Sequence, residues 1–523
     1  MRESTVESRP LTAASAPARR SRLGLLLDPG TARGQGRPLL DPASWTPRHR
    51  YFVLAGLALA VLAGLVKSVQ AGPLIGGVSG IRAFLAAAFA VALVGLAVSL
   101  RGLTLPGVVV GGVFVVAGML SWAYTDTPIV VWAVLAFEGV LFAIWTFPWV
   151  RELVHLPKLG AAWLGLAYWY LGIVGALLVW HPNVTAQRIA YAGVFTLGAI
   201  AVVVATRKSG QDLSVGIVAA FLVALALLYF AGSGNALSSL HPVPANGWGA
   251  HMQYRFWGAT GLLYHPNSIA IVAVMICLRI GADRAFERWQ RYAALAVTTV
   301  TLLLVNSRTG LAYLGLAAGV HALLLLRQQW VLRRGGTPSD DGLERYPDVR
   351  AAVAAALLPL LAVAVIAIGS GGTAFLTANR YSSSGDDQDI TSGRTATWSA
   401  VFKEFKADSL PEKLLGDAKY ARAIVTRPGS SVKLTTDNSA VGALRRGGVL
   451  GELAYLFGLG LLLWHGIRGV AGRRPPAWLT LATVGSLASI PFADWLLGGT
   501  GGTLWIYLLA GEAALLFTPG RRE

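Results

Sequence analysis

The stretch Tyr264-His265-Pro266-Asn267-Ser268-Ile269-Ala270-Ile271-Val272-Ala273-Val274-Met275-Ile276-Cys277-Leu278-Arg279 decides the fold class. From Ile269 to Leu278 every residue is apolar. A helix that is apolar all round lies either in a large core or in a bilayer. Working outward decides between them. Comparable runs lie near residues 51–66, 81–100, 103–123, 128–150, 159–180, 186–206, 213–233, 264–280, 291–306, 309–326, 351–370, 447–466, 477–494 and 501–518. A membrane-crossing helix needs about 20 such residues. Only 13% of the 523 residues are charged, against about a quarter in soluble domains. That is too little charge for a water-facing coat on so long a chain. The expected fold is therefore an all-α integral membrane protein of about 14 transmembrane helices.

The placement of charge orients the spans. There are 44 Lys and Arg against 26 Asp and Glu. With residues 1–50 in the cytoplasm and strict alternation, inside segments carry 28 of the 44 cations. Nine of these are Arg in the tail itself, which is rich in Ala, Pro and Ser and reads as disordered. Arg19-Arg20 precede only a short apolar patch, too short for an export signal. Of the 16 outside cations, 11 sit in one long loop, 371–446, and long loops escape the positive-inside rule. The short outer loops keep Lys67, Arg82, Arg188, Arg255 and Arg308. The expected organisation is a basic tail (1–50), spans 1–11 (51–370), an extracytoplasmic loop (371–446), then spans 12–14 and a short tail (447–523). It is a multi-pass protein of the plasma (inner) membrane with both termini inside. In this setting the +18 net charge points to lipid and topology, and nucleic acid is not expected as a partner.

Within the long loop, Trp398, Val401, Phe402 and Phe405 share one helical face. Either that helix lies on the outer membrane surface or it packs on the rest of the loop. The single cysteine, Cys277, excludes an internal disulfide and a Cys-based metal site. His251 and His265 are too scattered to argue for a metal, and neither a P-loop nor a dinucleotide fingerprint is present. No metal or cofactor is expected. Glu138, Glu452, Asp494 and Glu512 lie in or near spans, where ionisable groups are functional candidates by default. A lone Arg at a span end snorkels to lipid phosphate. A pair such as Arg255 and Arg308 can instead form a forked oxyanion clamp. Asp437-Asn438 is either a helix N-cap or a carboxylate placed for chemistry.

Several motifs recur in a telling order: Arg255-x-x-Gly258; Tyr264-His265-Pro266-Asn267; Asn306-Ser307-Arg308-Thr309-Gly310; Ser392-Gly393-Arg394-x-x-x-Trp398; Leu415-Gly416; Asp437-Asn438; and Gly447-Gly448-Val449-Leu450-Gly451-Glu452-Leu453. Across roughly 250–465 the chain resembles the O-antigen ligase and O-antigen polymerase superfamily. The resemblance implies a glycosyltransferase that uses a glycan on a polyprenyl (undecaprenyl-type) diphosphate outside the cytoplasm. It implies attack by an acceptor hydroxyl with inversion, without metal or nucleotide. It implies diphosphate binding by Arg255, Arg308 and Arg394, although Arg394 is alternatively an organiser of the loop. It places Asp437 where the ligases carry a His as proposed base, with His265, Asn267, Asn438 and Glu452 in support. That departure favours polymerisation of repeat units over ligation to a cell-surface acceptor. A lipid-linked-oligosaccharide flippase or other transporter is the alternative. It fits the span count but not the amphipathic outer loop, and no internal repeat of the transporter kind is evident.

Overall fold

The computed structural model describes residues 79–123, 147–178, 186–210, 212–231, 256, 258–259, 262–263, 265–283, 286–335, 349–369, 394–416, 425–426, 433–434, 438–471, 477–490 and 502–517. The tail 1–50, the run near 51–66 and residues 124–146, which take in most of the fourth run, lie outside them.

The described chain is helical. Its helices are α1 (Ser79–Ser99), α2 (Leu105–Ala123), a 3₁₀ segment (Phe147–Lys158), α3 (Gly160–Leu178, with a π turn at Leu166–Tyr170), α4 (Ala186–Ser209) and α5 (Ser214–Ala231). Then come α6 (Pro266–Gly281), α7 (Arg288–Val305), α8 (Arg308–Arg333), α9 (Val349–Gly369), α10 (Arg394–Ala407) and α11 (Leu410–Leu415). The last three are α12 (Ser439–Ala471), α13 (Ala477–Ser489) and α14 (Gly502–Phe517). Two antiparallel ladders of two residues per strand interrupt the pattern. One pairs β1 (Gly258–Ala259) with β2 (Leu262–Leu263), and the other pairs β3 (Val425–Thr426) with β4 (Lys433–Leu434).

The stretch quoted first forms α6, and every residue from Pro266 to Ile280 is buried. An all-apolar sequence has become the central helix, packed by α5, α7, α8 and α13. Other helices turn apolar side chains outward: Leu323, Leu326 and Trp330 on α8, Leu357, Leu361 and Ile368 on α9, and Leu453, Phe457, Trp464 and Ile467 on α12. Water would not tolerate so broad an apolar coat, whereas hydrocarbon matches it. Among the described residues, three helical stretches are long and apolar enough to cross a membrane: Gly160–Leu178, Arg308–Arg333 and Ser439–Arg468.

Polar bonds gather helix ends at two poles. At one pole the buried Arg279 donates to Ser214 (2.7 Å), Asp212 (3.0 Å) and Asp283 (2.6 Å) and lies over Trp478. At the same pole Thr480 bonds the Gly466 carbonyl, and Glu512 binds His465 and the amides opening α3. The opposite pole holds Tyr229 bonded to Thr301, Phe256 N–H on Leu304 O (3.0 Å), and the starts of α6, α8 and α12.

Two expectations need correction. The helix that carries the apolar run near 447–466 begins before that run. Its helix starts at Ser439, so the last eight residues of 371–446 are helical, and Arg445 and Arg446 are buried helix residues rather than loop cations. Glu512, a functional candidate by its position, is instead a structural ligand of the α3 N-terminus.

Candidate functional site

Two layers of motif residues occupy the Asn438 pole. The first joins α6 and α8. Pro266 opens α6, and the preceding His265 caps it, its Nδ1 accepting from Asn267 N–H at 3.2 Å. Asn267 Oδ1 in turn accepts from Ser307 Oγ at 2.7 Å. Ser307 caps α8 by accepting from Gly310 N–H at 3.1 Å. His265, Asn267, Ser307 and Thr309 are all buried. Asn306 ends α7 in the left-handed region (φ 48°, ψ 57°), a conformation Asn tolerates through its short polar side chain. The turn between α7 and α8 is thus two residues long, and it fixes Arg308 as the first residue of α8. Gly310 is required by contact: a Cβ there would lie 2.6 Å from Ala270 Cβ and 2.7 Å from Leu302. The Asn-Ser-Arg-Thr-Gly motif is therefore a shared cap and close crossing that presents one half-buried arginine.

Arg255, Tyr264 and Asp437 lie outside the described residues. Phe256, next to Arg255, is fully buried, stacks on Tyr229 at 4.8 Å and bonds Leu304, four residues before Arg308.

The second layer surrounds the start of α12. Asn438 Oδ1 accepts from the amides of Ala440 (3.0 Å) and Val441 (3.0 Å), so the N-cap role weighed for Asp437 belongs to Asn438. Arg394 opens α10, and Val401 with Trp398 packs on Val441. The face read from the sequence is therefore a packed one at these residues, while Phe402 remains exposed. Arg445 pairs with Glu404 of α10 at 2.9 Å. Arg446, only 2% exposed, lies 3.6 Å from the Tyr168 ring centroid in the π turn of α3. Such a contact holds a guanidinium in an apolar setting. Arg445 and Arg446 were not singled out from sequence. Their signal was a charged pair seven and eight residues after Asn438, two helical turns on.

Gly448 breaks α12 (φ 64°, ψ −159°), and a Cβ there would lie 2.5 Å from Lys413 O. The glycine run thus lets α11 seat against the break. Glu452 follows one turn later, half-buried, with Oε2 making no hydrogen bond among the described residues. Those residues hold no group of three or more His, Cys, Asp or Glu placed to bind a metal.

Residues 293–410 match the family model described as O-antigen ligase. This region is similar to the O-antigen ligase family. The O-antigen ligase region runs from α7 through α8, α9 and α10 to Leu410 at the start of α11. It contains Arg308 and Arg394, and its neighbours in the fold contribute His265, Asn267 and Asn438. No curated protein matches the chain. With membrane-length apolar helices around it, the protein is broadly a membrane enzyme of O-antigen ligase type.

Proposed function

We propose that the protein transfers a glycan from a polyprenyl diphosphate to an acceptor hydroxyl on the extracytoplasmic side of the plasma membrane. The Asn438 pole is the catalytic side, and both chain termini lie in the cytoplasm across about 14 spans. The observation that carries this reading is the O-antigen ligase region, with Arg308 fixed at the start of α8 beside the anchored segment that follows Arg255.

In the reaction the acceptor oxygen attacks the anomeric carbon from the face opposite the diphosphate. The bond from carbon to the diphosphate oxygen breaks, and the lipid diphosphate leaves with the electron pair. Asp437 takes the hydroxyl proton, a role that requires only a carboxylate within hydrogen-bond reach. Arg255, Arg308 and Arg394 hold the diphosphate. Fixed guanidinium donors stabilise the charge that builds on the leaving group most strongly where water is sparse. His265 and Asn438 cap α6 and α12, Asn267 ties α6 to the cap of α8 that carries Arg308, and Glu452 follows on α12. Asp in place of the ligase His favours polymerisation of surface-polysaccharide repeat units over ligation to a cell-surface acceptor.

The test is to incubate purified protein with lipid-linked oligosaccharide and resolve the glycan on a gel. A ladder supports polymerisation, and a single shifted acceptor supports ligation. Unchanged glycan accompanied by lipid scrambling would replace this reading with a flippase.

A further inference from the structure

A second feature lies at the His465 pole, far from the proposed catalytic groups. The 3₁₀ segment and the ends of α4, α12 and α14 flank an open cavity of about 570 Å³ lined by His155, Lys158, Arg207, His465, Leu516 and Phe517. Among the described residues that line it there is no carboxylate. Two acids of the described residues pair with lining side chains. Glu152 lies 3.0 Å from Arg207 and 3.6 Å from His155. Glu512, fully buried, accepts from Gly160 N–H (2.7 Å) and Ala161 N–H (3.0 Å) and pairs with His465 (2.6 Å). The space itself therefore faces donors.

These donors are held in place. The Arg207 guanidinium lies 5.6 Å from the Phe517 centroid, and the His155 ring meets the same phenyl edge-on at 5.8 Å. His155 Nδ1 is buried and makes no hydrogen bond among the described residues. Burial, and then Arg207, hold the His155 pKa below its usual value. The ring itself forms part of the lining. The rim adds a further constraint. Val150, Leu153 and Val154 of the 3₁₀ segment are exposed, Val154 at 69%, while Arg151, His155 and Lys158 alternate with them. A segment that mixes exposed apolar side chains with cations suits a membrane interface.

We propose that this cavity binds a phosphate-bearing anion through Arg207, Lys158 and His155. The chemistry is that of a phosphate ester. The apolar rim favours an anionic lipid headgroup as its source over a soluble phosphate. On the topology proposed above, that lipid belongs to the inner leaflet, but binding itself does not depend on the glycosyl-transfer reading.

The experiment uses the full-length protein in neutral detergent, with native mass spectrometry to count retained ligand. Phosphatidylglycerol and inorganic phosphate are the two probes. Lys158→Gln removes an exposed lining cation and leaves every hydrogen bond described above intact. Arg151→Gln, on the same segment but outside the lining, controls for diffuse charge. Losing one cation at such a site should weaken binding by about fivefold. One phosphatidylglycerol retained by the parent and by Arg151→Gln, but about fivefold more weakly by Lys158→Gln, supports the site with a lipid source. The same pattern with inorganic phosphate supports a soluble source. Equal weakening by both substitutions, or retention of neither probe, overturns the proposal.

Discussion

The start of α12 separates helix capping from catalysis within two adjacent residues. Asn438 accepts from the amides of Ala440 and Val441, both at 3.0 Å. Asn438→Ala removes the acceptor for both amides at a buried helix start. Loss of a cap costs roughly 0.5–2 kcal/mol, and two buried amides place this one toward the top of that range. Asp437→Asn should leave that cap intact. An amide cannot take a proton, so the same change should lower turnover by about a hundredfold to ten-thousandfold, or about 2.7–5.4 kcal/mol of barrier. Asp437→His should recover part of the activity, because imidazole is again a base. The assays are thermal unfolding in detergent and glycan extension from lipid-linked oligosaccharide. Expected is a destabilised Asn438→Ala protein beside a stable, inactive Asp437→Asn protein that still binds donor. A stable and fully active Asp437→Asn protein refutes the base assignment and turns attention to Glu452 or Asp494.

Arg308→Lys keeps the charge but loses the fork, so activity should fall strongly while expression holds; Arg188→Lys, in the first turn of α4, should be nearly silent in the same gel assay. Equal and mild effects would assign Arg308 to snorkelling. Glu512→Ala orphans two buried amides at the start of α3 and should cost about 2–6 kcal/mol, read as a lower unfolding temperature. Glu512→Gln, which keeps one acceptor oxygen, should cost less, and an unchanged unfolding temperature in both variants would contradict the capping role. In a Cys277→Ser background, a membrane-impermeant thiol reagent on intact cells should label Ser430→Cys and leave Ser339→Cys unmodified. Labelling of Ser339→Cys would reverse the proposed topology.

Runs such as 264–280 and 309–326 were legible because an apolar stretch bounded by His-Pro-Asn or Ser-Arg-Thr carries its own start signal. The start of α12 was legible only as the N-cap reading of Asp437-Asn438, because Arg445 and Arg446 make the turns that follow look like a loop. Their charge is accommodated by Glu404 and by the Tyr168 ring, 41 and 278 residues away. No local pattern announces such partners. Glu512 was misjudged for the same reason, since its partners open α3 some 350 residues earlier. The cap at Asn306–Gly310 was visible as a turn. Its bond to Asn267 was not, because that depends on how α6 crosses α8 at Gly310.

The interruption at Gly448 gives α12 two beginnings. Peptide dipoles add only along unbroken helical geometry, so residues 439–447 and 449–471 carry separate macrodipoles, each with its own positive end. The second positive end is set where α11 seats against Gly448. Glu452 falls in the first turn after the break, where a negative side chain is electrostatically matched. Replacing Gly448 sets a Cβ 2.5 Å from Lys413 O, so α11 must move before the break can close; once closed, the two dipoles merge and the partial positive charge moves about nine residues, some 13 Å at 1.5 Å per residue, away from Glu452. The carboxylate would then sit mid-helix without its electrostatic counterpart.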